Sequence, residues 1–294
     1  MTLFLVATPI GNLSDLSARS KELLSNAPLI LAEDTRSFSR LCTVLDQRIP
    51  GQRVLSFHKF NEVQRQEEIL THLKNNDAVI ISDAGTPCIC DPGRELVALC
   101  HKEGVPICSV GTLCAFAAAF SCSGFEPPFH FHGFLPKKKS ELDQLLTHCL
   151  TPSSDGRSLS HAFYVSPHQI AKVLDTIVKL AQEAECTNGL IHLSKEMSKI
   201  HETHLQGSIC DIEWTQAINL TKGEWVLVLS PWTAGELKEQ TLSGNPARMH
   251  QGQALVQKLL EQGLGLKSAC KISASTFDLS SRELYALNIE NNNS

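Results

Sequence analysis

The alternation of strand-like and helix-like segments over the first 120 residues most restricts the fold of this 294-residue chain. Five short apolar runs have the pattern of buried strands, and amphipathic patterns of helical period lie between them. The strand-like runs are Leu3–Ala7, Leu29–Ala32, Arg53–Ser56, Ala78–Ser82 and Pro106–Val110. The helix-like runs are Asp15–Asn26, Ser37–Leu45, Glu62–Asn75 and Gly93–Glu103. Because each strand reaches the next through a helix, the sequence predicts a largely parallel sheet.

A second group of strand and helix signals begins after the break at Gly124–Pro128. The strand-like runs are Phe129–Phe134, Ala162–Ser166, Asn188–Leu193 and Trp225–Leu229, and the helix-like runs are Asp143–Leu150 and Gln169–Glu185. Thr151–Ser160 is typical of a polar loop, and a polar stretch at Pro231–Pro246 precedes a helical tail, Gln253–Ile289. We therefore expect two α/β domains, residues 1–122 and 123–231, followed by a linker and a small helical module over residues 232–294.

Composition and charge exclude several classes of protein. An apolar content of 42% with 19% charged residues is typical of a globular chain and not of a disordered one. No apolar run approaches the roughly 20 residues that span a bilayer. The apolar start at Met1 lacks a basic region and reaches Pro9 too soon for a signal peptide, so we expect a cytoplasmic protein. A net charge of −5 argues against indiscriminate nucleic-acid binding but permits a local basic surface.

The cysteines favour reduced thiols over disulfides. There are 11 of them, scattered and mostly within apolar runs, where cysteine behaves as a small hydrophobic residue. Cys88-x-Cys90 and His130-x-His132 each lack a second ligand pair at zinc spacing. The sequence therefore predicts no metal site.

The segment Ile80–Gly93 carries a marked combination of a buried strand and small turn residues. The apolar run ends at Ser82–Asp83, and two turn clusters follow, Asp83–Pro87 and Asp91–Gly93. Small and acidic residues at the carboxyl end of a parallel strand suit a nucleoside-shaped ligand, since glycine lets the backbone approach closely. An ordinary strand-to-helix connection with common turn chemistry explains the segment equally well.

Seven short motifs in chain order together resemble one family. There is no G-x-G-x-x-G sequence, no phosphate-binding P-loop and no G-x-S-x-G elbow. The motifs present are Ala7–Leu13, Ala32–Arg36, Ser82–Pro87 with Asp91–Gly93, Gly133–Pro136 with Lys138, Phe163–Tyr164 with Ser166–His168, Glu196 with Lys199 and His201–Glu202, and Lys222–Glu224. With them the chain resembles the tetrapyrrole methylase superfamily, and within it the branch that methylates a ribose 2′-hydroxyl of small-subunit ribosomal RNA (the RsmI family).

The resemblance implies a fold, a cofactor and a substrate. It implies two α/β domains of the tetrapyrrole methylase type, with S-adenosyl-L-methionine bound in the cleft between them, plus a small helical C-terminal appendage. It further implies a homodimer that acts on a cytidine of 16S rRNA in the 30S subunit. The implied cofactor-binding residues are Pro9, Gly11, Asp83, Ala84, Gly85, Thr86, Cys114, Ala115, Tyr164 and Met197. For Tyr164 and Met197, ordinary core packing is the alternative.

Candidate catalytic residues come from the matching motifs. A ribose hydroxyl is a poor nucleophile near neutral pH, and it benefits from a general base or from a cation beside the developing alkoxide. The candidates are Glu33, Asp34, Arg36, Lys195, Lys199, His201 and Glu202. We favour Arg36 as a contact to RNA phosphate or to the oxyanion, and Glu33 or Asp34 as orienter or base. Capping of a helix N-terminus by Asp34 is the alternative to a catalytic role.

The chain departs from the family pattern at three places. Gly111–Leu113 stands where a Pro-Gly-Pro turn is expected, and this change makes a cofactor-facing loop more flexible. Val165 and Gln169 replace an acid and a base around the Ser-Pro-His stretch. Cys90 replaces a serine and Lys195 an arginine. These departures keep open a catalytically silent RNA-binding or assembly factor, while a small-molecule methylase of the tetrapyrrole type is the enzymatic alternative.

Two basic segments are candidates for RNA contact. Lys137–Lys139 is the densest local cluster of positive charge, although a solvated loop explains three lysines equally well. Leu266–Ile272 and Leu279–Tyr285 form two short amphipathic segments around a polar turn, similar to the helical C-terminal module of the same family. For this module, packing or subunit docking competes with RNA binding.

Overall fold

The computed structural model describes residues 1–45, 51–151, 159–183, 189–210, 222–230, 246–261, 264–277, 279–281, 284–285 and 287–288. The first sheet consists of β1 (Leu3–Val6), β2 (Leu29–Ala32), β3 (Arg53–Ser56), β4 (Ala78–Ile81) and β5 (Ile107–Val110). Its helices are α1 (Ala18–Asn26), α2 (Thr35–Val44), α3 (Glu62–Leu73) and α4 (Arg94–Lys102), with a 3₁₀ turn at Leu13–Asp15. The strand order is β3-β2-β4-β1-β5, and all the pairs are parallel. The predicted parallel sheet is confirmed.

The buried strands β2 and β4 explain why this sheet forms. Every residue of Leu29–Ala32 and Ala78–Ile81 is buried, as expected for central strands covered by helices on both faces. One face packs with Phe57, Ile69 and Leu96, and the other face packs with Leu24 and Phe38. Two apolar layers therefore fix the sheet and direct the carboxyl ends of its strands to one edge.

The second sheet is mixed. Its strands are β6 (Phe129–Phe134), β7 (Ser160–Val165), β8 (Leu190–Lys195), β9 (Thr203–Ser208) and β10 (Trp225–Leu229), in the order β6-β7-β10-β8-β9. Only the β6–β7 pair is parallel. The helix α5 (Ala115–Ser123) covers one face, while α6 (Lys139–Cys149) and α7 (Ile170–Glu183) contribute to the core on the other face. The predicted α/β fold with two sheets is confirmed, whereas the limits of the two predicted α/β domains stay a prediction.

Two elements of the second sheet differ from the sequence expectation. The strand β9 was not predicted, because an edge strand paired only with β8 needs no continuous apolar run, and β9 carries His204 and Gln206. Ser160, placed by the sequence in a loop, begins β7 and is fully buried. Residues 152–158 of the predicted polar loop lie outside the described residues, as do residues 231–245 of the predicted polar stretch.

Among the described residues of the C-terminal part there are two helices, α8 (Pro246–Glu261) and α9 (Leu266–Phe277). They share a small core that includes Val256, Cys270 and Leu284. Gly252 permits close packing, since a Cβ atom there would lie 2.5 Å from Leu279 Cδ1. The predicted helical module is therefore present, and no described helix is long and apolar enough to cross a membrane.

Candidate functional site

A cavity of about 390 Å³ lies where the carboxyl ends of the first sheet's strands meet the second sheet. The first sheet contributes the loops after β4 and β5, and the second contributes the end of β7, the start of β10 and the segment after β8. Its lining residues are Ile10, Asp83–Thr86, Ile89–Asp91, Leu113–Ala115, Phe134, Tyr164–Pro167, Met197 and Glu224–Val226. The walls are mainly apolar, with carboxylates at Asp83, Asp91 and Glu224. Such a cavity suits a ligand of small-molecule size with a few polar groups.

The loop after β4 is held in place by its own hydrogen bonds. Thr8 and Gly85 exchange two backbone hydrogen bonds of 3.0 and 2.9 Å, and Ser82 Oγ donates to the carbonyl of Gly85 at 3.0 Å. Gly85 has a φ of +82°, and a Cβ atom there would lie 3.0 Å from the carbonyl oxygen of Leu113. Thr86 Oγ1 donates to that same oxygen at 3.1 Å. Small residues therefore let this loop and the loop after β5 approach each other closely.

The wall from the second sheet contains an aromatic side chain and a segment of unusual backbone. Tyr164 Oη lies 3.8 Å from Cys114 Sγ on the opposite wall, and burial keeps the pKa of the phenol above its ordinary value. Glu196 and Ser198 have φ angles of +52° and +66°, so they hold Met197 between two left-handed residues. Such conformations cost about 1–3 kcal/mol each and often occur at functional sites. Met197 is buried and lines the cavity.

Gly11 allows the first loop of the chain to contact the Met197 segment. A Cβ atom at Gly11 would lie 2.4 Å from Lys199 Cγ and 2.8 Å from the carbonyl oxygen of Met197. Nearby, Ser198 Oγ donates a short hydrogen bond to the Asp15 carboxylate. These contacts join the loop after β1 to the loop after β8, and they close one side of the site.

Three carboxyl groups lie close together at the carboxyl ends of β2 and β4. Burial, followed by repulsion from Asp91 and Asp83, raises the pKa of Glu33 above its ordinary value. Burial also raises the pKa of Asp91, although the nearby Lys59 ammonium opposes this increase. A carboxyl group with a raised pKa beside a cavity has the property expected of a general base or acid near neutral pH.

Asp34 has a different environment although it is adjacent to Glu33. Its Oδ1 accepts a 2.8 Å hydrogen bond from Arg36 N, so it is the N-cap of α2, and its Oδ2 forms a 2.7 Å ion pair with Arg36 Nη2. The hydrogen bonds from the Arg36 side chain and backbone hold the pKa of Asp34 far below its ordinary value. A carboxylate with so low a pKa is a weak base, and the capping interpretation of Asp34 agrees with the geometry.

Lys199 connects two acids beside the cavity. Its Nζ donates to Glu196 Oε1 at 3.0 Å and to Glu224 Oε2 at 2.9 Å. Burial opposes the charge, but these hydrogen bonds outweigh it and raise the pKa of the ammonium. Glu196 Oε1 also accepts a 2.8 Å hydrogen bond from Glu224 N. Lys199 is therefore held as a cation and not as a base.

The predicted cofactor residues divide between two cavities. The larger cavity is lined by eight of them, Asp83, Ala84, Gly85, Thr86, Cys114, Ala115, Tyr164 and Met197. Pro9 and Gly11 line a neighbouring cavity of about 200 Å³, and Asp83 lines both. Whether these ten residues bind the cofactor stays a prediction.

The four catalytic candidates, Glu33, Asp34, Arg36 and Lys199, line neither of these two cavities among the described residues. These four residues are connected to the larger cavity through residues that line it. The Asp34 N–H donates to Asp83 Oδ1 at 3.3 Å, and Lys199 binds Glu224. They therefore stand beside the place where a ligand would sit.

Sequence reasoning missed several lining residues. Ile10, Phe134, Glu224 and Trp225 all face the cavity, although none was proposed as a cofactor contact. Ile10, Phe134 and Glu224 belong to the motifs quoted above, so motif membership could have identified them. Trp225 is the first residue of a buried strand, and its sequence context signals only core packing.

Three of the residues that depart from the family pattern have observed positions or contacts beside the site. Leu113, in the altered loop, lines the cavity as expected. Gln169 stands where a basic residue is expected, and its side chain makes an uncharged contact instead. Its Oε1 accepts a hydrogen bond from Ser166 Oγ at 3.0 Å. Lys195 Nζ lies 5.1 Å from the centre of the Trp225 ring, within the range of a cation–π interaction.

Comparison with known proteins gives close relatives over nearly the whole length. The family model described as Tetrapyrrole (Corrin/Porphyrin) Methylases matches residues 2–209. The protein named Ribosomal RNA small subunit methyltransferase I of Neisseria meningitidis serogroup B (strain ATCC BAA-335 / MC58) is 32% identical over 97% of this chain and 92% of its own. Its namesake in Pasteurella multocida (strain Pm70) is 33% identical over 99% of this chain and 98% of its own.

Solved structures agree with the fold. The methyltransferase CobJ superimposes with a TM-score of 0.54 at 16% identity, over 78% of this chain and 93% of its own. The cobalamin biosynthetic enzyme cobalt precorrin-4 methyltransferase, CbiF, gives a TM-score of 0.51 at 16% identity, over 77% and 94%. At such identities the likeness shows the fold alone, and it confirms the predicted fold class.

Proposed function

The chain belongs to the tetrapyrrole methylase family, and from this premise we propose that it methylates a ribose 2′-hydroxyl of small-subunit ribosomal RNA, with S-adenosylmethionine as methyl donor. The observation that carries the proposal is the cavity between the two sheets. A loop of small residues lines this cavity, and a cluster of acids lies beside it. The relatives above 30% identity are named as ribosomal RNA methyltransferases, whereas the cobalamin enzyme is 16% identical. This difference favours RNA over a porphyrinoid, and a cytidine of 16S rRNA is the target that the family resemblance implies.

The cavity residues fit the proposed methyl donor. A volume of about 390 Å³ is within the range of about 300–1,000 Å³ usual for such ligands. Ala84, Gly85 and Ala115 leave room for close backbone approach, and Met197 with Leu113 offers apolar surface for an adenine ring. The carboxylates of Asp83 and Asp91 can accept hydrogen bonds from ribose hydroxyls or from an ammonium group. When bound, S-adenosylmethionine supplies an electrophilic methyl group on a sulfonium.

The chain's own residues supply a base and a cation. Glu33 is the favoured base, because its raised pKa contrasts with the lowered pKa of Asp34. Lys199 is the favoured cation, because its ion pairs keep it protonated beside Glu224 on the cavity wall. Positioning of the ribose and exclusion of water supply much of the remaining rate enhancement of an in-line displacement.

Exposed side chains beside the cavity are suited to RNA. Phe134 lines the cavity and is 65% exposed, and its ring centre lies 5.2 Å from that of Tyr164. Unstacked bases bind to such exposed rings. Arg36, whose side chain is 81% exposed, and the exposed Lys59 offer cations for phosphates. Lys137–Lys139 at the start of α6 are also exposed, although Lys138 forms a 3.0 Å ion pair with Glu141.

Transfer of a tritiated methyl group tests the substrate class. The protein should label the RNA of 30S particles from a strain that lacks this gene, and it should not label a panel of precorrins or free nucleosides. Mapping the modified position then checks the cytidine. Incorporation into a porphyrinoid alone would show that the protein is a small-molecule methylase of the same fold.

Calorimetry with S-adenosylmethionine separates an enzyme from a catalytically silent assembly factor. We expect saturable binding of one molecule per chain. A protein that bound 30S particles without binding this ligand would be the silent factor that the altered Gly111–Leu113 loop keeps open.

Replacing Lys199 by methionine should lower kcat by about a hundredfold, because the developing alkoxide loses a fixed cation. The matched control is Lys179→Met, which removes an exposed lysine that pairs with Glu183 on α7. Lys199→Arg keeps the charge and should recover part of the rate. An increase in KM for RNA with an unchanged kcat would instead mean that Lys199 only binds RNA.

The homodimer and the cytoplasmic location belong to the same proposal. Both follow from the family resemblance and from a ribosomal substrate. Light scattering on the purified protein checks the dimer, and fractionation of cells with 30S particles checks the location and the partner.

A further inference from the structure

Three histidines lie together on one face of the second sheet. His130 and His161 are directly paired residues on the parallel strands β6 and β7, and His132 follows His130 by two positions on the same face. The ring centres of His130 and His132 are 4.1 Å apart, and those of His132 and His161 are 5.2 Å apart. The chain therefore brings together a histidine pair and a third histidine from 29 positions further along.

The nitrogen atoms of these rings converge. One ring nitrogen from each of the three histidines lies within 4.8 Å of the others, and His132 Nε2 is 2.9 Å from His161 Nδ1. Cys149, the last residue of α6, places its Sγ 3.7 Å from His132 Nε2. Nitrogen and sulfur ligands of one tetrahedral ion are separated by about 3.3–3.7 Å, as follows from bond lengths of about 2.0 and 2.3 Å. Small movements of the three histidine side chains would therefore complete their part of such a geometry, whereas Cys149 Sγ, which is close to His132 but outside this convergent group, would have to move further.

The cluster is separate from the methyl-transfer cavity. Phe131 and Ala162, which alternate with the histidines along β6 and β7, belong to the core beneath α5, next to the cavity residues Tyr164 and Met197. The histidines face the opposite side of the sheet, where the His132 ring stacks on Phe163 at 4.7 Å. None of the three histidines lines the two cavities described above.

The three histidines are buried to different degrees, and the most exposed one lies at the surface. His161 is 7% exposed, His132 is partly buried and His130 is exposed. An ion could therefore enter past His130 and be held by buried ligands. A neutral imidazole offers a lone pair to such an ion.

We propose that His130, His132 and His161, with Cys149 as fourth ligand, form a structural site for a divalent transition metal ion of the Zn²⁺ type. Imidazole and thiolate ligands suit this class of ion, whereas Mg²⁺ and Ca²⁺ require oxygen ligands. Each neutral ring keeps one proton when it binds the ion, because a proton on the coordinating nitrogen moves to the other nitrogen of the same ring, and the thiol proton of Cys149 passes to solvent. The ion would fasten the edge strand β6 to β7 and to the end of α6. The proposed site differs from the sequence expectation of no metal, which rested on Cys88-x-Cys90 and His130-x-His132 each lacking a second ligand pair.

Titration of the chelator-treated, full-length protein with Co²⁺ tests the site. Wild-type protein should bind one ion, with visible absorption bands of tetrahedral Co²⁺ and a near-ultraviolet charge-transfer band from thiolate, and Zn²⁺ should remove both. His130→Ala should weaken binding by roughly tenfold or more, since it removes a ligand. The matched control is His101→Ala, which changes an exposed histidine of α4 and should leave binding unchanged.

Two further variants make the outcome decisive. Cys149→Ala should keep Co²⁺ binding but lose the charge-transfer band, and a band that persisted would overturn the cysteine as fourth ligand. His132→Asn should abolish binding, with circular dichroism as the check of folding. Because His130 is exposed, His130→Ala should fold normally and keep methyl transfer. The site does not exist if wild-type protein binds neither Co²⁺ nor Zn²⁺, or if His130→Ala binds them as tightly as wild type.

Discussion

Replacing Glu33 by glutamine should lower the kcat of methyl transfer by about a hundredfold or more, the usual contribution of a positioned general base. Glutamine keeps the size of the side chain and can still accept a hydrogen bond, but it cannot take a proton. The raised pKa of Glu33, caused first by burial and then by Asp91 and Asp83, suits it to accept a proton, in contrast to the lowered pKa of its neighbour Asp34. Single-turnover transfer to 30S particles at saturating cofactor measures the effect.

The same substitution should make the folded protein more stable at neutral pH. The pKa of Glu33 is higher in the folded state than in the unfolded chain, where it is about 4.3. The folded state therefore binds more protons in the interval above that value, and its stability decreases as the pH rises through the interval. Glu33→Gln removes this cost. The variant should therefore have a larger free energy of unfolding than wild type at pH 7, and the difference should vanish below about pH 4.

The control for both measurements is Glu22→Gln, which removes an exposed carboxylate of α1. It should change neither kcat nor the dependence of stability on pH. In wild-type protein, the acid limb of the kcat/KM profile should have its midpoint above the ordinary glutamate pKa, and Glu33→Gln should abolish that limb. A variant that kept most of its kcat would show that Glu33 only orients the substrate.

Replacing Asp83 by asparagine should raise the Kd for S-adenosylmethionine about tenfold to a hundredfold. Asp83 lines both cavities, and its carboxylate is positioned to accept hydrogen bonds from a bound ligand. A hydrogen bond to a charged group contributes about 1.5–3 kcal/mol, which corresponds to that change in Kd. Asparagine can still accept the 3.3 Å hydrogen bond from the Asp34 N–H, so the loop should keep its conformation.

Calorimetry measures the change in Kd, and thermal unfolding checks that the variant folds as wild type. Glu67→Gln serves as the control, because Glu67 is an exposed acid of α3 away from both cavities. A normal Kd in Asp83→Asn would mean that the cofactor site lies elsewhere. An increased Kd together with a normal kcat at saturation would assign Asp83 to cofactor binding and not to the chemical step.

Much of the fold could be predicted from the sequence because its signals are local. The runs Leu29–Ala32 and Ala78–Ile81 are continuous and apolar, and both form fully buried strands. The limits of these strands agree with the predicted limits to within one residue. The helical patterns between them imply the parallel connections that the first sheet shows. The strand β9 could not be predicted in this way, because its place depends on pairing with β8 and not on its own composition.

Part of the candidate site could also be predicted, because some of its sequence signals are local. Asp83–Thr86 form one continuous loop, so a single motif places all four of them in the cavity. Phe134 and Trp225 reach the cavity from separate strands, and only the pairing of β6, β7 and β10 brings them there. The distinction between Glu33 and Asp34, adjacent carboxylates in one motif, depends on which of them meets Arg36 and which is buried beside Asp91.

The sequence by itself determined the order of the strands in the first sheet's half of the chain, their parallel arrangement, the family and the small-residue loop at Gly85, since periodicity and short motifs depend on neighbours along the chain. The tertiary structure alone decided which side chains share an environment. It placed Cys114 beside Tyr164 and His161 beside His132, across gaps of 50 and 29 positions. Burial and the proximity of charges set the pKa values and ligand geometries of such groups, and both arise only when distant segments pack together.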